Sequence, residues 1–152
     1  MKFDVLADSR EQRGWNFPPS GSCDGTTTTT LKTGDYTLRG LEDRFVLERK
    51  GSTGEFAQNV LQKRFTRELE RLDTFPLPFL ICEFTVADIL RYPINSGIPQ
   101  CKWKYLRTTG EFLLKRTLEI QVQYKTRFIF AGTDGWHVAW SLFKRVNEYA
   151  QG

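Results

Sequence analysis

One histidine and three cysteines in 152 residues leave little for imidazole or thiolate chemistry. His137 stands between Trp136 and Trp140 in an amphipathic stretch, so it is expected to be structural or exposed rather than a general base. Cys23, Cys82 and Cys101 are odd in number, widely spaced and preceded by no secretory leader, which argues against a disulfide framework or a zinc site. A reducing, intracellular and cytoplasmic setting is the expectation. Long hydrophobic runs are missing too: Met1 to Leu6 has no leader core, and no later segment reaches bilayer length, so no membrane association is expected. A large excess of one charge is also absent. Lys+Arg 22 against Asp+Glu 18 gives a net charge of +4, which permits a polyanionic partner without requiring one.

Hydrophobic residues at 39% and charged residues at 26% are values of a folded domain, and the length suits a single domain over residues 1–152. Phe3 to Ala7 alternates as a first strand and delivers Asp8-Ser9-Arg10-Glu11 at its end. Gly14 to Gly25 reads as a loop, and Thr26 to Leu31 as a second strand leading to Gly34. Tyr36 to Leu38 and Arg44 to Lys50 read as a hairpin pair. From about Gly54 the period becomes helical: Phe56, Val60, Leu61, Phe65, Leu69 and Leu72 predict one helix of several turns. Phe79 to Cys82 is an expected buried strand ending at Glu83. Val86 to Arg91 is a short helix and Pro93 to Gln100 a loop. Thr109 caps a helix from Gly110, although Leu118 to Tyr124 alternates equally well as a strand. Arg127 to Ala131 is a last strand, and Trp136, Ala139, Trp140, Phe143 and Val146 mark a final amphipathic helix. The order makes the domain α/β.

Within that frame, Gly34-Asp35 and Glu48-Arg49-Lys50 carry the chemistry. Side chains alternate along a strand, so Glu48 and Lys50 share one face and Arg49 takes the other. Asp35, on a neighbouring strand or the turn leading into it, can meet them. Two carboxylates suit a divalent cation, and a lysine beside them can orient water or stabilise charge on a phosphate. The expected ion ligands are Asp35, Glu48 and the Arg49 carbonyl. Asp8 and Glu11 form a second acidic pair that either binds metal directly or orients Lys50 or Arg49, and Arg49 is expected to brace Asp8 or Glu11 or to contact a phosphate. Arg64, Arg67 and Arg71 lie on one helical ridge able to grip consecutive phosphates, with Glu68 and Glu70 partly neutralising it. Lys102 to Arg107 interleaves lysines with Trp103 and Tyr105, a pattern equally suited to base stacking and to ordinary edge packing.

Asp8-Ser9-Arg10-Glu11, Gly34-Asp35, Glu48-Arg49-Lys50, and Glu55 with Arg64 together resemble the ERCC4-type (XPF/Mus81 family) nuclease domain, over residues 3 to 84. The family pattern runs Asp-x-Arg-Glu, Gly-Asp, Glu-Arg-Lys, and then an acidic residue opening a helix. Here Gly51-Ser52-Thr53-Gly54 precedes Glu55, one residue more than the usual spacing. The resemblance implies a restriction-endonuclease-like core with a central mixed sheet flanked by helices, dependence on Mg2+ or Mn2+, and cleavage of branched or flapped DNA. Asp35, Glu48, Lys50, Asp8 and Arg49 would be catalytic, Arg10, Arg64, Arg67 and Arg71 DNA-binding, and Glu11 and Glu55 supporting. Family members dimerise, and the aromatic C-terminal helix suits a homodimer. With no helix-hairpin-helix module before Gly152, a free-standing nuclease of the viral or prokaryotic kind is expected. The rivals are a non-catalytic DNA-binding scaffold of the same fold and another nuclease of the same core, such as an exonuclease or a Holliday-junction resolvase.

Overall fold

A computed structural model describes residues 1–152. Its strands are β1 (Phe3–Asp8), β2 (Cys23–Thr29), β3 (Tyr36–Leu38), β4 (Phe45–Lys50), β5 (Leu77–Cys82) and β6 (Arg127–Phe130). They form one mixed sheet in the order β2-β1-β3-β4-β5-β6. β1 is parallel to β2 and antiparallel to β3, β3 is antiparallel to β4, and β4, β5 and β6 run parallel. Helices α1 (Thr53–Asn59), α2 (Lys63–Leu72), α3 (Val86–Leu90), α4 (Gly110–Gln123) and α5 (Gly135–Gln151) complete the fold.

The period of two along β4 divides the core. Phe45 and Leu47 enter a cluster with Val5, Tyr36, Phe17 and the α5 residues Ala139, Phe143 and Val146. Val46 enters the opposite cluster with Phe56 of α1, Phe65, Leu69 and Leu72 of α2, and Leu113 and Ile120 of α4. The sheet is therefore covered on both faces, which suits its parallel half. Continuing the alternation sends Glu48 and Lys50 to the α1/α2 face and Arg49 to the α5 face.

Two sequence expectations change, and two alternatives left open in the sequence are narrowed. The single helix from Gly54 is two helices, separated by an extended Gln62 at φ −106° and ψ 137°. In an uninterrupted helix, nine residues at about 100° each would set Phe65 on the opposite side from Phe56; the break resets the phase, and the two rings meet edge to face at 6.0 Å. The loop expected to run to Gly25 already pairs with β1 from Cys23, and the second strand stops at Thr29, before Leu31. Leu118 to Gln123 belongs to α4 rather than a strand, with Tyr124 as its extended C-cap: Thr109 accepts the Phe112 amide as N-cap, and Leu113, Thr117 and Ile120 are buried at helical spacing. Trp103 donates its indole N–H to the Ile98 carbonyl within a 3-10 turn, which favours packing over base stacking for that residue. None of the helices is long and apolar enough to cross a membrane.

Candidate active site

Asp35 is fixed by its backbone on both sides. Its amide donates to the Leu47 carbonyl at 2.9 Å and its carbonyl accepts from the Asp8 amide at 2.8 Å, tying it to β4 and β1. Gly34 makes this approach work, with φ +81° and no room for a Cβ, which would overlap Val46 Cγ2. The Asp35 carboxylate accepts the Arg49 amide at 2.8 Å and comes within reach of Glu48. Burial, with the neighbouring Glu68 charge adding to it, raises Asp35 above the ordinary carboxylate value. Burial, then the charges of Asp35 and Glu68, push Glu48 well above its own. Two desolvated carboxylates that resist simultaneous ionisation favour a proton or a cation between them.

Lys50 is 5% exposed and sits among carboxylates from three elements. Its Nζ lies 3.8 Å from Glu48 Oε1, 3.9 Å from Glu55 Oε1 and 3.6 Å from Glu68 Oε1. Burial alone would lower its pKa, but Glu48, Glu68 and Glu55 outweigh that and the value is raised, so Lys50 remains an ammonium. Glu55 is placed by the start of α1: its amide donates to the Ser52 hydroxyl and its carboxylate accepts the Gly51 amide. Despite the extra residue before it, Glu55 therefore reaches Lys50. Glu68, first read as neutralising an arginine ridge, instead faces inward, and its Oε1 is buried without a hydrogen-bond partner.

Arg49, on the other face, does not brace Asp8 or Glu11. It pairs with Glu83 at the end of β5, donates to the Arg13 carbonyl, and lies over the Trp15 ring at 4.6 Å. The reason is the strand alternation: Glu83 follows the parallel neighbour of β4 by one residue, with its amide bonded to the Lys50 carbonyl at 2.8 Å. Asp8 is 5% exposed and points away toward Leu31, where it accepts the Leu31 amide at 2.9 Å and pairs with Arg10 at 2.8 Å. Burial raises the Asp8 pKa, but the Arg10 and Leu31 hydrogen bonds outweigh it, so Asp8 is held below the usual value. Arg10 also donates to the Leu31 carbonyl.

The site opens into a cleft of about 820 Å3 lined by 13 residues, none hydrophobic. Among them are Glu11, Asp35, Glu48, Glu55 and Glu83, together with Arg13 and Arg49. Glu11 is raised by burial and then by Asp35. Of the proposed site residues, Asp35, Glu48, Arg49, Glu11 and Glu55 thus line one cleft, with Lys50 behind them. Asp8, Arg10, Arg64, Arg67 and Arg71 lie off its lining, the last three exposed on α2. Sequence reasoning passed over Glu68, Glu83 and Arg13. Glu68 stands three residues after Phe65 and four before Leu72, on the buried side of α2, and that spacing is the signal that could have found it.

No three His, Cys, Asp or Glu side chains converge into a ready-made metal cluster. The donor set that does exist, two adjacent half-buried carboxylates lining a polar cleft, fits an ion such as Mg2+, which takes one or two carboxylates and fills its other positions with water or phosphate oxygens.

Fold and site define an α/β domain of the restriction-endonuclease-like class, a mixed sheet presenting acidic residues and a lysine at one strand end. The ERCC4 domain family model matches residues 7–134, and the chain belongs to that family. Two solved structures share the fold: XPF from Aeropyrum pernix, at 21% identity and TM-score 0.64 over 95% of this chain, and the same protein in complex with DNA, at 20% identity and TM-score 0.62 over 98%. The chain spans 65% and 66% of those two chains. No curated protein matches it in sequence.

Proposed function

We propose that this domain is a metal-dependent DNA endonuclease that hydrolyses phosphodiester bonds in branched or flapped DNA. The observation that carries the reading is the Asp35–Glu48 carboxylate pair with the Lys50 ammonium 3.8 Å from Glu48, at the head of a polar cleft. Asp35, Glu48 and the Arg49 carbonyl would hold Mg2+ or Mn2+, which when bound polarises a phosphoryl oxygen and acidifies water. Lys50 supplies a fixed positive charge for the attacking water or for a non-bridging oxygen as negative charge develops there. Glu55 and Glu68 keep that ammonium charged and in place, and Glu11 adds negative charge at the rim of the metal pair. Asp8 acts from behind, holding Arg10 and the Leu31 loop beside the Asp35 backbone. Arg10, Arg64, Arg67 and Arg71 would contact backbone phosphates beyond the cleft, positioning the duplex without reading bases.

DNA as partner is supported by family membership and by the Aeropyrum pernix relative having been solved with DNA. A homodimer through the C-terminal part would use the outer side of α5, because Trp136 and Trp140 stack on Phe17 at 5.2 and 6.1 Å inside this chain. The test offers duplex, flap, fork, four-way and single-stranded DNA to the protein in Mg2+ or in chelator. Cutting of the junction-bearing substrates in Mg2+ alone is expected. Chelator-resistant cutting would overturn the metal dependence, and no cutting of any substrate would turn the reading to a DNA-binding scaffold.

A further inference from the structure

The cleft is a poor host for a polyanion as its charges stand. Five carboxylates line it, and of its two guanidinium groups Arg49 is paired with Glu83. Arg13 is exposed and pairs with no carboxylate, which leaves it the one uncommitted cation on the lining. It is also held in place by its backbone. Its carbonyl accepts from the Arg49 guanidinium; two residues on, the Trp15 amide donates to the Tyr36 hydroxyl at 2.6 Å, and the Trp15 ring stacks on Tyr36 at 5.3 Å under Arg49. The segment from Glu11 to Trp15 is thus fastened to β3 and β4, the strands that carry or follow Asp35 and Glu48.

We propose that Arg13 is the phosphate-binding residue of the cleft, its guanidinium receiving a backbone phosphate of the DNA strand beside the Asp35–Glu48 pair, with Arg49 as the positioning residue that holds it there. This rests on the nuclease reading above. A guanidinium suits the role because it binds phosphate bidentately and never loses its charge. The assignment differs from the α2 ridge in kind: Arg64, Arg67 and Arg71 lie off the cleft lining, and Arg13 lies on it.

The test is flap-DNA binding by fluorescence anisotropy across a salt series in Ca2+, with the DNA verified intact on a denaturing gel, for wild type, Arg13→Gln and Arg13→Lys. Arg13→Gln should bind roughly tenfold more weakly, the loss of one charge-assisted contact. Its slope of log affinity against log salt should be shallower by about 0.9, one phosphate fewer. Arg13→Lys should recover the slope and only part of the affinity. Equal affinity and slope for wild type and Arg13→Gln would overturn the assignment while leaving the nuclease reading intact. Absence of wild-type binding to any DNA would remove the nuclease reading and this inference with it.

Discussion

Lys50 Nζ lies 3.6 Å from Glu68 Oε1, and that oxygen is buried with no hydrogen-bond partner. The pair joins β4 to α2 at the centre of the site, and Glu48 and Glu55 reach the same ammonium from two other directions. Removing the ammonium leaves these carboxylates facing one another. Lys50→Ala is expected to cost about 3–5 kcal/mol of stability, as for a buried pair that loses one partner. Urea denaturation checks this, and a cost below about 1 kcal/mol would contradict the buried role. At a temperature where the variant remains folded, cleavage should fall by about 10²-fold or more while flap binding persists.

Glu68→Gln keeps the shape and removes the charge. The Lys50 ammonium then relies on Glu48 and Glu55, and Glu48 loses one of the charges that push its pKa up. The expected result is a reduced kcat with little change in KM, since Glu68 lies off the cleft lining and acts through Lys50. Single-turnover and steady-state kinetics separate these, and a change confined to KM would speak against a positioning role.

The raised Glu48 and Asp35 carboxyls set a pH dependence with a definite sign. A carboxyl whose folded pKa exceeds its unfolded one binds more protons when folded, so its contribution is fully present below the unfolded value and is lost as pH rises through the folded one. In metal-free protein, Glu48→Gln should therefore melt higher than wild type at neutral pH. The difference should shrink as pH falls toward the ordinary glutamate value. Melting curves in chelator between pH 4 and pH 8 test this, where those limits are about the ordinary carboxylate range and neutrality. A difference that grows on acidification would contradict it.

Tyr36→Phe removes the acceptor of the Trp15 amide, a hydrogen bond of 2.6 Å in a buried setting. Burial also pushes the Tyr36 hydroxyl up to about 12, so it stays protonated throughout the working range. The loss should cost about 1–2 kcal/mol and loosen the Glu11 to Trp15 segment. Amide hydrogen exchange at Trp15 should accelerate, and unchanged protection there would show that the segment is held by other contacts.

Much of this site was legible because strand alternation is a strict rule. Glu48 and Lys50 sharing a face, Arg49 opposing them, and Asp35 arriving on a glycine turn all follow from a period of two and a Gly-Asp step. The apolar run of β5 and the aromatic stripe of α5 were equally plain. What the pattern hid depended on contacts between distant segments. Glu83 meets Arg49 only because β5 lies parallel beside β4, and Glu68 meets Lys50 only because α2 packs on the Val46 face of β4. Arg13 sits in a polar loop whose placement is decided by Arg49 and Tyr36, neither of which is near it in sequence.

The central claim is that Asp35 and Glu48 together make the catalytic centre. The most direct measurement is the cleavage rate of end-labelled flap DNA in Mg2+ by wild type, Asp35→Asn and Glu48→Gln, with each variant shown folded by its melting curve. Both variants should lose at least about 10²-fold of the rate, since each removes one of the two carboxylates proposed to hold the ion. Undiminished cutting by both folded variants would contradict the account.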